Sequence, residues 1–173
     1  MTEISAQTEQ FTGLILVTGV DRPGISASLF ETLAPFAIHV IDVEQIVNHK
    51  RLILTVLIGA NPAHRSAIEE DLASCAADLD IDIATVFSKS SVSPMAHGLI
   101  KVDITSQKML PQAMFLVTQA IERSGGNIEN FTRSSDNPVS LAISISGVSK
   151  DVLQETLKSL SFEDATSVSV SEM

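Results

Sequence analysis

Apolar residues along this chain change their spacing at regular intervals, and each change marks an element. Leu14 to Val20 reads as an apolar strand stopped by Asp21-Arg22-Pro23-Gly24. Beyond that turn Ile25, Leu29, Leu33 and Ala37 recur at the spacing that gathers them on one helix face. Ile38 to Val47 and Leu52 to Ile58, rich in Val and Ile, predict two strands joined through Asn48-His49-Lys50-Arg51. Asn61-Pro62 opens a second helix with an inward stripe of Ile68, Leu72, Cys75 and Leu79. Asp80 to Phe87 is the fourth strand, so the order is βαββαβ.

After a Ser-rich stretch the same order returns. Gly98-Leu99-Ile100-Lys101-Val102 echoes Gly13-Leu14-Ile15-Leu16-Val17. A helix carrying Leu110, Met114, Val117 and Ile121 ends at Ser124-Gly125-Gly126, a left-handed stop. Asn127 to Ser134 and Val139 to Ser146 predict paired strands. In the second of these Val139, Leu141, Ile143 and Ile145 alternate strictly with small or polar residues. Leu153, Leu157 and Leu160 mark a last helix, and Val168 and Val170 a last strand. The expected organisation is a disordered tail over 1–11, a first domain over 12–88, a linker over 89–96 and a second domain over 97–173. The fold class is α+β: two ferredoxin-like domains, each a four-stranded antiparallel sheet with two helices on one face. Uncovered sheet edges and a long linker make self-association easy, most simply a homodimer through sheet edges or exchanged domains.

Composition narrows the function. Hydrophobic residues make up 45% of the 173, but aromatics only 4%, with no Trp and no Tyr. The core is therefore aliphatic, and stacking platforms for bases or sugars are scarce. A formal net charge of −10 disfavours binding to nucleic acid or to an anionic membrane surface. Cys75 is the single cysteine, so no intramolecular disulfide forms and a reducing compartment is expected. Met1 to Gln10 is polar, without the apolar stretch of a secretory signal, and the longest apolar run is too short to span a bilayer. The expected location is the cytoplasm.

Asp21-Arg22-Pro23-Gly24 is the one pointed motif. Pro23 suits the first helical position, and Asp21 is placed to accept from the free N–H groups of the first turn. A helix N-terminus also attracts a carboxylate, Asp21 attracts an ammonium, and Gly24 lets a ligand approach the backbone. Two readings stay open at this point: a binding site for a zwitterion, or an ordinary Pro-initiated helix with an acidic cap.

Val17-Thr18-Gly19-Val20-Asp21-Arg22-Pro23-Gly24-Ile25 within a βαββαβ pattern resembles the first half of an ACT domain. More narrowly, that segment, Val43-Glu44-Gln45, Arg51-Leu52, Gly125-Gly126-Asn127-Ile128 and Ser135-Asp136-Asn137-Pro138-Val139 resemble the N-terminal regulatory region of actinobacterial phosphoserine phosphatases. The resemblance implies an allosteric module that binds serine or a related small amino acid where two ACT domains meet. Carried over by position, one wall consists of Gly19, Val20, Asp21, Arg22, Pro23, Gly24 and Ile25. Gly125, Asn127 and Ile128 form the other, and His39 holds in the first domain the place of Asn127 in the second. Where the first domain has its turn, the second has Ser106-Gln107-Lys108-Met109-Leu110-Pro111, a longer loop that predicts a degenerate second site, and so two unequal sites or one. The phosphatases carry a DxDxT nucleophile motif after their second ACT domain, and none occurs in this sequence. The chain is expected to be non-catalytic by itself: the regulatory region of a longer phosphatase, or alternatively a stand-alone regulator acting through a protein partner, as the glycine-cleavage repressors do.

The remaining candidates carry less. His39, His49, His64 and His97 lack metal-ligand spacing, so no metal and no cofactor are expected. Asp42 and Glu44 read as an exposed acidic edge, and Glu69-Glu70-Asp71 as a solvated helix face. An acylphosphatase-type enzyme shares the topology but wants a phosphate cradle that the Arg22 turn lacks. An RNA-recognition module needs strand aromatics that are missing.

Overall fold

The apolar runs become strands and helix faces in the computed structural model, which describes residues 10–90, 98–162 and 165–173. The chain divides into two compact units, residues 1–93 and 94–173. The first comprises β1 (Gln10–Val20), α1 (Ile25–Leu33), β2 (His39–Asn48), β3 (Arg51–Gly59), α2 (Arg65–Leu79) and β4 (Asp82–Ser90). Its sheet runs β2-β3-β1-β4 with every neighbouring pair antiparallel. This is the ferredoxin-like order, and it leaves β2 and β4 at the edges.

Period-two alternation sends Ile15 and Val17 of β1 and Leu52, Leu54, Val56 and Ile58 of β3 to one face. There they meet Ile25, Leu29 and Leu33 of α1 and Ile68 and Leu72 of α2, all in one buried cluster. Each such side chain contributes roughly 1.5–3 kcal/mol by leaving water. Cys75, one turn beyond Leu72, is 8% exposed and unpaired.

The second unit repeats the plan with β5 (Ile100–Ser106), α3 (Pro111–Arg123), β6 (Asn127–Asp136), β7 (Val139–Ser146), α4 (Lys150–Lys158) and β8 (Ser167–Glu172). Its sheet order is β6-β7-β5-β8. Ile100, Val102, Ile104, Ile143 and Ile145 pack on Val117, Ile121, Leu153 and Leu157.

Several boundaries differ from the sequence expectation. Gln10 and Phe11, placed in the tail, begin β1: they pair with Ser90 and Lys89, and the Phe11 ring stacks on Phe87 at 5.7 Å. Lys89 and Ser90, placed in the linker, extend β4. The rest of the expected tail, 1–9, and 91–97 of the linker region with His97 lie outside the described residues. Ala37 is exposed and beyond α1, because Pro35 prevents the helix from running on. Asn61-Pro62 starts a short 3-10 turn, Pro62–His64, in which the Asn61 side chain accepts from Ala63 N–H at 2.9 Å; α2 begins only at Arg65. Leu110 is the cap of α3 rather than its first residue, and Pro111 takes that first position.

Candidate functional site

The first unit's turn is built by a change of handedness. β1 ends at Val20 opposite Arg51, and Asp21 N–H still donates to Lys50 O at 2.8 Å. Gly24 then adopts φ 97°, a left-handed conformation that an L side chain rarely takes, and caps α1 from there. The helix therefore starts at Ile25, with its first internal bond from Ser28 N–H to Gly24 O at 2.9 Å. This corrects one sequence reading: Pro23 precedes the helix, and no side chain, Asp21 included, caps it. The Asp21 carboxylate has no hydrogen bond or ion pair to any described residue, and the N–H groups of the first turn lack the intrahelical partners that later turns enjoy.

A cavity of ≈330 Å³ lies over that helix start, lined by Asp21, Arg22, Pro23, Gly24, Ile25 and further residues. Those further residues, Ser26, Ala27, Gln45 and Leu52, were not singled out from the sequence. Ser26 Oγ donates to Gln45 Oε1 at 2.8 Å, which fixes an amide on β2 beside the turn. Gln45 and Leu52 fall within the short segments that carried the resemblance, so a signal for them existed. Gly19 pairs with Leu52, one of the lining residues, and a Cβ on it would come within 2.7 Å of Ile81. Val20, exposed on the strand's outer face, does not line the cavity.

His39 stands elsewhere. It opens β2 opposite Gly59, which in turn pairs with Thr12 near the start of β1, whereas Asp21 follows the end of β1. Eight strand steps, about 27 Å, separate the two ends. The imidazole receives the Gln10 amide N–H at 2.9 Å and covers Gly59 so closely that a Cβ there would overlap the ring.

In the second unit Asn127 opens β6 opposite Ser146, the position that His39 holds in the first. Gly125, at φ 82°, ends α3 with its N–H on Glu122 O, and Ile128 is half-buried beside the core. Between Ile128 and Asn130 the strand register shifts, and the extra residue is Glu129. A bulge re-aims its side chain: Glu129 Oε1 accepts from Asn127 Nδ2 at 2.7 Å and from Ser146 Oγ. The Ser146 hydroxyl first, and the Asn127 amide second, hold the Glu129 carboxyl below the usual glutamate range. Period-two counting conceals a bulge, so this acid was not legible from the sequence. The loop corresponding to the first unit's turn borders a cavity of ≈340 Å³ lined by Ser106, Gln107, Lys108, Leu110 and Ala165. It presents a cation instead of a carboxylate, and it closes on itself: Ser106 Oγ donates to Lys108 O, and Thr166 Oγ1 to Ser106 Oγ, each at 3.1 Å.

Among the described residues no cluster of three or more His, Cys, Asp or Glu is placed to hold a metal. No described helix is long and apolar enough to cross a membrane.

The ACT domain family model matches residues 12–86. The chain is 30% identical over 149 residues to a phosphoserine phosphatase of Streptomyces coelicolor, covering 83% of this chain and 36% of that protein. It is 29% identical over 167 residues to phosphoserine phosphatase SerB2 of Mycobacterium tuberculosis, covering 92% of this chain and 40% of the relative. The chain thus spans about two-fifths of the length of the curated relatives it matches. Among solved structures, one named as a glycine cleavage system transcriptional repressor aligns with a TM-score of 0.77 at 18% identity, over 95% of this chain and 98% of that one. A protein of unknown function from Galdieria sulphuraria aligns at 0.69, also at 18% identity, over 95% and 99%. At such identity these two likenesses speak to the fold alone. The first unit is an ACT domain, the second repeats its ferredoxin-like fold, and the tandem resembles the ACT regulatory region of phosphoserine phosphatases.

Proposed function

We propose that this chain is a regulatory module that binds a small amino acid, L-serine or a close relative, and reports its level to a phosphoserine phosphatase activity. The observation that carries the reading is the start of α1, which has no side-chain cap, beneath a ≈330 Å³ cavity, with the unengaged Asp21 carboxylate at its rim. The helix N-terminus suits an α-carboxylate, Asp21 an α-ammonium, and the Ser26–Gln45 pair a short polar side chain. Gly24 keeps the backbone approachable, while Arg22, Pro23 and Ile25 shape the wall; Gly19 and Val20 belong to the reading only as the strand end that leads into the turn. His39, Gly125, Asn127 and Ile128 belong to the opposite wall in this reading. His39 and Asp21 lie at opposite ends of the first unit's sheet, so they do not share one site within that unit. Binding then favours one conformation of the module, and a catalytic domain that senses that conformation responds.

The test is a panel of the common amino acids scored by thermal unfolding. A ligand bound by the folded state alone, at a hundredfold excess over its Kd, adds about 2.7 kcal/mol. A rise in Tm with L-serine or another small amino acid, absent with D-serine, supports the reading. A flat response across the panel refutes it.

A further inference from the structure

The two sheets differ in the face that points away from their helices. In the first unit successive rungs across β3, β1 and β4 read Leu57–Leu14–Val86 and Thr55–Leu16–Ala84. Leu14 is 44% exposed, Leu16 37%, Ile53 41% and Val86 64%. In the second unit the outward rungs across β7, β5 and β8 read Ser144–Lys101–Ser171 and Ala142–Asp103–Ser169. Lys101 and Asp103 form an ion pair at 2.9 Å on that face. One fold repeated in one chain thus carries a polar outer face on one unit and an apolar one on the other. The pleat alone does not demand apolar residues there, as the second unit demonstrates.

We infer that the open sheet face of the first unit is the interface on which a second copy of this chain docks, face to face. Four strands about 4.8 Å apart and nine residues long give a footprint of about 570 Å² per copy, or ~1,150 Å² in total. That exceeds the roughly 1,000 Å² expected of a specific interface. In a two-fold dimer each patch meets itself, so a self-complementary patch must carry no charge at its centre. The central columns, β1 and β3, meet this condition from Leu14 to Thr18 and from Ile53 to Leu57. The outward charges, Asp42, Glu44, Arg51 and Asp82, stand on edge strands or at a corner of the sheet. A two-fold axis along the strands lays each β2 over its partner's β4, which keeps Asp42 and Glu44 apart from their own mates. A net charge of −10 disfavours an anionic lipid surface as the occupant.

The β2 and β4 edges are the competing routes, and the β2 edge is blunted. A register shift interrupts it between Val40 and Asp42, and the Val43 N–H is taken by the Asp42 carboxylate at 2.9 Å.

Sedimentation of the full chain across a wide concentration range, with and without amino acids, tests the inference. A dimer is expected, and Leu14→Lys or Val86→Glu should each raise its dissociation constant at least about a hundredfold by burying an unpaired charge. Mixing the Leu14→Lys and Leu14→Glu chains should restore it as a heterodimer, while Ser144→Lys on the second unit's outer face should leave it intact. Circular dichroism checks that each variant is folded; Leu14 and Val86 lie outside the buried cluster, so they should be. A wild-type monomer at all concentrations overturns the inference. So does a dimer indifferent to both Leu14→Lys and Val86→Glu, which would move the contact to an edge or to another partner surface.

Discussion

Replacing Asp21 by Ala separates a ligand's counter-charge from a helix cap, because the two roles lose different quantities. A capping carboxylate removed from a helix start costs about 1 kcal/mol of folding stability. For a domain of this size that lowers Tm by roughly 4–8 °C. Here α1 is capped by Gly24 without a side-chain bond, and Asp21 meets the fold only through its backbone N–H on Lys50 O, which alanine retains. The ligand-free stability of Asp21→Ala should therefore stay within about 0.5 kcal/mol of wild type. Binding should suffer instead. A hydrogen bond to a charged group contributes about 1.5–3 kcal/mol, so Kd should rise roughly tenfold to 150-fold. Scanning calorimetry without ligand and titration calorimetry with L-serine read the two quantities on the same samples. Asn127→Ala should weaken binding by about 1–3 kcal/mol; Asp71→Ala, exposed on α2, should change neither. Undiminished binding in both Asp21→Ala and Asn127→Ala would refute the site. A drop of 4–8 °C in Asp21→Ala with binding intact would make the turn a helix start and nothing more.

Gly24→Val should lose about 1–2 kcal/mol of stability, because valine is strained at φ 97° although its Cβ meets nothing within 4 Å, and it should abolish binding by filling the cavity mouth. Denaturant unfolding paired with the same titration separates the two effects. The Glu129 carboxyl should titrate below its ordinary 4.5 by carbon-13 NMR, returning toward it more in Ser146→Ala than in Asn127→Ala. Its folded-state value is depressed, so its contribution to stability is present above 4.5 and fades as pH falls through the lower folded value; an unshifted Glu129 would dissolve the cluster. The chain by itself should release no phosphate from phosphoserine; turnover by a pure sample, lost on mutation of Asp21 or Asp42, would overturn its regulatory reading.

What the sequence disclosed was whatever depends on local period. Val139, Leu141, Ile143 and Ile145 could only face one way in a strand, and Ile68, Leu72 and Cys75 could only share a helix stripe, so the doubled βαββαβ order was readable from side-chain spacing. Strand order was not, because split βαβ units join their outer strands through contacts distant in sequence. The turn was half readable. Its residues advertised a helix start, but whether Pro23 opens the helix or Gly24 caps it depends on the handedness of one backbone angle, and that decided what Asp21 is free to do. Glu129 escaped altogether: the added residue of a bulge is defined by its partner strand, β7, which lies beyond a hairpin. The apolar outer face of the first sheet was also hidden, since Leu14, Leu16 and Ile53 looked like core until their neighbours claimed the inner side.

The placement of the single thiol offers a clock. Cys75 sits inside the first unit's α2 stripe, 8% exposed, with no other cysteine anywhere in the chain. An alkylating reagent must wait for that helix to open, so the labelling rate follows the opening of the first unit while the second goes unseen. At saturating reagent the rate becomes that unit's opening rate; at limiting reagent it gives the population of the open form. A mass spectrometer reading one adduct per chain could then time how far an amino acid, or a second copy, holds the first unit shut.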